Sequence, residues 1–135
     1  MEEPWFSWCF LVGRTFLALV YIVSGIHKGI WYRKALVEFQ RARIPFVKLA
    51  VIGVVVVHLV GGICLISGIF VRELALALAV FTAVATFKAH DFWNFSGIDR
   101  LNQSRIAMAH VAIIGGLLLL AAAGPGRFVA VAQLN

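Results

Sequence analysis

The sequence predicts an all-α integral membrane protein: a four-helix antiparallel bundle, one transmembrane domain over residues 1–135, with an interfacial amphipathic helix in the first loop. Three observations predict it. Of the 135 residues, 62% are hydrophobic and 13% charged, against roughly 25% charged in a usual soluble domain. So little charge cannot cover a water-facing sphere, and the apolar excess must face lipid. The apolar residues also fall into four segments. Most of the charged residues collect between those segments.

The first segment, residues 5–26, is interrupted only by Arg14. The second covers residues 46–70, with Lys48 near its start and Pro45 at the turn before it. The third, 73–88, is bracketed by Glu73 and Lys88, and the fourth is 106–123. A helix rises about 1.5 Å per residue, so about 20 residues cross a hydrocarbon core of about 30 Å. The first two are long enough. The last two are slightly short, but Arg72, Lys88 and Arg105 can extend their charges to the headgroups. The first helix is not expected to be a cleaved signal, because Glu2 and Glu3 stand where such a peptide carries positive charge.

Residues 30–43 read as the interfacial helix. Tyr32, Ala35, Leu36 and Phe39 share one face; Arg33, Lys34, Glu38 and Arg41 share the other. With Trp31 and Arg43, this basic helix suits the headgroup level of anionic lipid; a partner-binding helix is the other reading. The cations crowd this loop and the third one, through Lys28, Arg33, Lys34, Arg41, Arg43, Lys48, Lys88, Arg100 and Arg105. Positive loops stay in the cytoplasm, so both termini are expected outside a cytoplasmic membrane. No nucleic-acid partner is expected. Glycines and alanines such as Gly25, Gly61, Gly62, Gly115, Gly116, Ala75, Ala79 and Ala83 let helices approach closely. The shortest connection, around 71–73, makes the second and third helices neighbours.

The polar residues inside the membrane are the candidate sites. Arg14 lies roughly 18 Å from the loop end of its helix and His58 roughly 17 Å into the next. Equal depth suggests an intramembrane pair in which Arg14 keeps His58 neutral; outward extension of Arg14 and contact with a ligand anion are alternatives. Cys9 and Cys64 both fall roughly 26 Å from the loop end. A redox pair and two small packing residues are the two readings. A haem is disfavoured, because His110 lies roughly 10 Å shallower than His58. His27, His90, Asp91 and His110 carry no metal-ligand spacing, and no metal is expected. No catalytic residue can be read.

The stretch "KAHDFW", Lys88 to Trp93, has two readings. It is a helix exit, with Lys88 at the headgroups and Trp93 in an aromatic belt. Or it is a quinone-headgroup pocket or a partner contact. His90 or His27 would then bond a carbonyl oxygen, Lys28 or Lys88 would favour the reduced anion, and Phe92 and Trp93 would flank the ring.

In order, the chain carries Arg14, Gly25-x-x-Lys28, Pro45, Gly61-Gly62, Gly68, His90-x-Phe92-Trp93, Gln103, Gly115-Gly116 and the terminal "GPGRF". Together these resemble the DoxX family of small four-helix membrane proteins. Two departures stand out. His58 replaces a glutamate that relatives often place three residues before the glycine pair. Phe128-Val129-Ala130 replaces a Ser-x-Asp after the final glycine-arginine. The resemblance implies a multi-pass membrane protein, and no metal or covalently bound cofactor is expected. Some relatives are associated with thiosulfate–quinone oxidoreduction or other membrane redox assemblies. That makes an accessory role to a quinone-linked oxidoreductase the first reading, with quinone as the candidate ligand and other membrane subunits as partners. Membrane-protein assembly and small-molecule transport are the alternative roles; transport is disfavoured because no helix is broken mid-membrane.

Overall fold

The computed structural model describes residues 4–129. Glu2, Glu3 and Ala130, used above, lie outside the described residues. Those described form five α-helices, α1 Pro4–Ile30, α2 Tyr32–Arg41, α3 Val47–Ser67, α4 Val71–Ala89 and α5 Gly97–Ala123, with one 3-10 turn at Phe92–Asn94. Among the described residues, α1, α3 and α5 are each long and apolar enough to cross a membrane. Helix α4 has 19 residues and carries Arg72, Glu73 and Lys88 near its ends. Phe16 (65% exposed), Leu49 (70%), Phe87 (68%) and Leu119 (74%) lie on the outside. A surface this rich in large apolar side chains suits lipid and would aggregate in water.

The helices pair along their lengths as α1 with α3 and α4 with α5, while α2 lies across the loop end against α1, α3 and α4. Small residues permit the α1–α3 approach. A Cβ on Gly62 would come within 2.5 Å of Ile22 Cγ1, and one on Gly25 within 3.1 Å of His58 Cβ. The main apolar cluster, including Ala18, Tyr21, Leu65, Leu78, Ala79 and Leu117, joins all four long helices. A second cluster, built on Ala35, Phe39 and Val51, sits at the loop end. Helix α2 therefore packs its apolar face against α3. Its outer face is polar, with Arg33, Lys34, Glu38 and Arg41 exposed; Lys34 Nζ lies 4.6 Å over the exposed Trp31 ring.

Three boundaries differ from the sequence reading. Helix α1 continues to Ile30 instead of ending near residue 26, and α5 starts at Gly97 rather than 106. Both extensions are polar or mixed, so an apolar profile stops before the helix does. Helix α3 ends at Ser67 because Gly68 adopts φ 81° and caps it, its N–H reaching the Leu65 carbonyl. The tight connection is thus 68–70, and Arg72 lies in the first turn of α4.

At the end opposite α2, two arginines clasp the C-terminal segment. Arg72 Nη1 donates to the Ala121 and Ala122 carbonyls at 3.1 and 2.6 Å, and Nη2 donates to Ala123 O at 3.2 Å. A cation thereby satisfies the last carbonyls of α5. Arg14, 1% exposed, donates to Ile66 O at 3.0 Å, to Pro125 O at 2.6 Å and to Phe128 O. Gly124 and Gly126, at φ 89° and 75°, turn the chain back so that these carbonyls face inward. The Phe128 ring then packs on Trp8, 4.7 Å between centroids.

Candidate functional site

Between the α2 end and the main apolar cluster lies a cavity of about 400 Å³. Every helix contributes to its wall, and the order of the chain explains which side chains arrive. Tyr21, Ser24 and Lys28 follow one face of α1 at spacings of three and four. His58 comes from α3, Thr82 and Lys88 from α4, and His110 from α5, while Glu38 and Phe39 come from α2. Most of the remaining lining is apolar, including Val54, Phe81 and Ile113. An apolar chamber with a few convergent polar groups is the usual form of a small-molecule site.

The polar groups have defined roles. Tyr21 and Thr82, both buried, share a 2.6 Å hydrogen bond that ties α1 to α4. His58, 5% exposed, is held edge-to-face by Tyr21 at 5.2 Å and Phe81 at 5.1 Å. Neither of its ring nitrogens has a hydrogen-bond partner. A buried imidazole without partners is costly, and here it lines a chamber. Thr86 donates its proton to Thr82 O at 2.7 Å, so His110 Nδ1 must be the donor in its 2.8 Å bond to Thr86 Oγ1. His90 Nδ1 likewise donates to Gln103 Oε1 at 2.8 Å. In the neutral ring, Nε2 of each is then an acceptor. The two rings meet edge-to-face at 5.0 Å. Lys28 Nζ donates to Ser24 Oγ at 2.9 Å.

The Arg14–His58 pair is corrected. All hydrogen bonds of Arg14 run to backbone carbonyls, and His58 packs beside Tyr21 and Gly25. Arg14 lies at the level of Ile66, eight residues or about two turns along α3 from His58, and the four extra residues of α1 account for about one of those turns. The stretch from Lys88 to Trp93 divides between its two readings. Lys28, Lys88 and His90 reach the cavity, as a ligand pocket requires. His27 is exposed on the outer face of α1. Trp93 packs on Phe87 and Phe92, with Phe92 half-buried, and neither Phe92 nor Trp93 lines the cavity. The sequence reading missed Tyr21, Thr82, Phe81 and Glu38. Only the spacing of Tyr21, Ser24 and Lys28 on one α1 face hinted at any of them. Cys9 and Cys64 are free thiols, exposed and half-buried respectively, with no disulfide between them. Among the described residues, no group of three or more metal-ligating side chains converges.

Asp91 works outside the cavity. It accepts from Asn94 Nδ2 at 2.7 Å and sits 3.7 Å from Arg41, whose guanidinium lies 4.2 Å over the Phe95 ring. The Asn94 hydrogen bond, helped by Arg41 and His90, holds the Asp91 carboxyl below its ordinary pKa. A depressed carboxylate stabilises the fold above its ordinary range, and that contribution is lost as the pH falls through it. Trp93 fluorescence is therefore expected to hold steady from about pH 8 to 5 and to change only below about pH 4. Asp91→Asn should remove that acid transition.

With this geometry in place, comparison with known proteins decides the family. A DoxX family match covers residues 9–91. The chain belongs to the DoxX family. It is 29% identical over 117 residues to the inner membrane protein YphA of Escherichia coli strain K12, covering 86% of this chain and 83% of that protein. It is 30% identical over 119 residues to the inner membrane protein YqjF of the same strain, covering 87% and 85%. No solved structure matches the chain. The cavity of this DoxX-family membrane protein draws on residues both inside and beyond the matched span, since His110 and Ile113 close it from α5.

Proposed function

We propose that the chain is a non-catalytic accessory subunit of a quinone-linked oxidoreductase in the inner membrane, holding a quinone headgroup in its cavity. It crosses the membrane four times in antiparallel order, α4 included, with α2 at the cytoplasmic face and both termini outside. The observation that carries the reading is the chamber where Lys28, Lys88 and His90 meet His58, His110 and Tyr21. A quinone ring is apolar with two carbonyl acceptors, and it needs apolar walls with a few donors. His58, with its unpartnered nitrogens, can supply one such donor, and the lysines favour a developing negative charge. The inner-membrane names of the two relatives support the location.

The test is purification of the full chain in mild detergent, followed by solvent extraction. About one quinone per chain and co-purifying redox subunits in fixed ratio are expected. A chain that carries neither overturns the reading, and transient client proteins in their place would point to membrane-protein assembly.

A further inference from the structure

Val20, Ser24 and Lys28, successive turns of α1, line the cavity. The same three residues border a shallow groove on the outer face of α1, with Phe16, Leu19 and Val23. They form a rim shared by both spaces, which lie side by side along the helix. Phe16, Leu19 and Val23 are 65%, 44% and 47% exposed, which turns this groove to lipid. From Lys28 to Phe16 it runs roughly 18 Å at the helical rise. At the α2 end, Lys28, Arg43 and Lys88 line the cavity against one carboxylate, Glu38, an excess of two positive charges. Arg43 and Lys88 are exposed and Lys28 is half-buried and bonded to Ser24; an unmatched group of cations at the mouth of an apolar chamber attracts an anionic headgroup.

We propose that cavity and groove together hold one single-headed amphiphile drawn sideways from the bilayer. Its anionic oxygen lies among Lys28, Arg43 and Lys88, and its apolar chain leaves over Val20 along Leu19 and Phe16. The inference deepens the reading of the cavity as a lipid-soluble ligand site by giving the ligand a charge and a route. A deprotonated hydroquinone, a fatty carboxylate and an alkyl phosphate share this chemistry.

The test uses the full chain in nanodiscs of zwitterionic phosphatidylcholine at about pH 8, with dansylated undecanoic acid and its methyl ester as probes. After correction for partition into empty discs, the acid is expected to bind at least about tenfold tighter than the ester, the scale of one charge-assisted contact. Lys28→Gln and Lys88→Gln should each reduce that preference severalfold, and Ser24→Trp, which closes the rim, should weaken acid binding at least about tenfold. Equal binding of acid and ester by the unaltered chain overturns the proposal. So does a Ser24→Trp protein that unfolds at the original temperature yet binds the acid unchanged. Displacement by dodecyl phosphate or by reduced decyl-benzoquinone then distinguishes the sources. Failure of the quinol alone removes quinone as the ligand and leaves the acidic-amphiphile site standing.

Discussion

Replacing Arg14 with leucine is expected to destabilise the protein by about 3 kcal/mol or more, the largest effect of any single change considered. Arg14 is 1% exposed, and its guanidinium is the donor for the carbonyls of Ile66, Pro125 and Phe128. Leucine fills much of the volume but leaves those carbonyls without their donor, at roughly 1–3 kcal/mol for each one that stays dry. Lysine should restore only part of the loss, because a point ammonium cannot span three acceptors as a planar fork does. The local consequence is as specific as the global one. Residues 124–128 are held down by this contact, by the Trp8–Phe128 packing and by Arg72 and Phe10 against Gly124 and Gly126, so trypsin should cut after Arg127 faster in the leucine variant. Thermal unfolding in mild detergent and a timed digest together check both effects.

The second large effect is expected at Gly62. A Cβ there would stand 2.5 Å from Ile22 Cγ1 and 3.1 Å from the backbone oxygen of Ala18. Ile22 can rotate away, but the Ala18 carbonyl cannot. Gly62→Val should therefore push α1 from α3 and cost roughly 1–3 kcal/mol. Gly53 lies on the same helix with nothing within 4 Å of its virtual Cβ. Gly53→Ala should be neutral or stabilising by up to about 1 kcal/mol through helix propensity. Thermal unfolding of the pair separates a packing role for glycine from its intrinsic flexibility. Because α1 and α3 carry Tyr21 and His58, Gly62→Val should also disturb the cavity, whereas Gly53→Ala should not.

What could be read in the sequence was which stretches form apolar helices; what could not was where those helices end and which way their faces point. The four apolar segments reported the helices, because lipid demands uninterrupted apolar length. The extra turns of α1 and the start of α5 escaped, since residues such as Asp99, Arg100 and Gln103 continue a helix outside the hydrocarbon without any apolar signal. Arg14 and His58 were matched by depth alone, and the four extra residues of α1 moved that match by about one turn. The true acceptors of Arg14 are backbone carbonyls more than fifty residues away. Every residue type has a carbonyl, so no sequence pattern marks them. Glu73 and Arg72 read as a simple helix boundary, yet Arg72 caps the far end of α5. The cavity was partly visible in Lys28, Lys88 and His90. Thr82 was invisible, and Tyr21 was hinted at only by its spacing to Ser24 and Lys28, because each looks like ordinary bundle packing until the two helices face one another.

The cavity is walled by all five helices, and the proposed topology requires α4 to cross the membrane beside α1, α3 and α5. Single cysteines at Arg33, Glu73, Asn94 and Arg127, in a chain with Cys9 and Cys64 replaced by serine, can be labelled with an impermeant maleimide in sealed vesicles of known orientation. The account predicts that positions 33 and 94 react from the cytoplasmic face, and positions 73 and 127 from the opposite face. Labelling of 73 from the same side as 33 would contradict it.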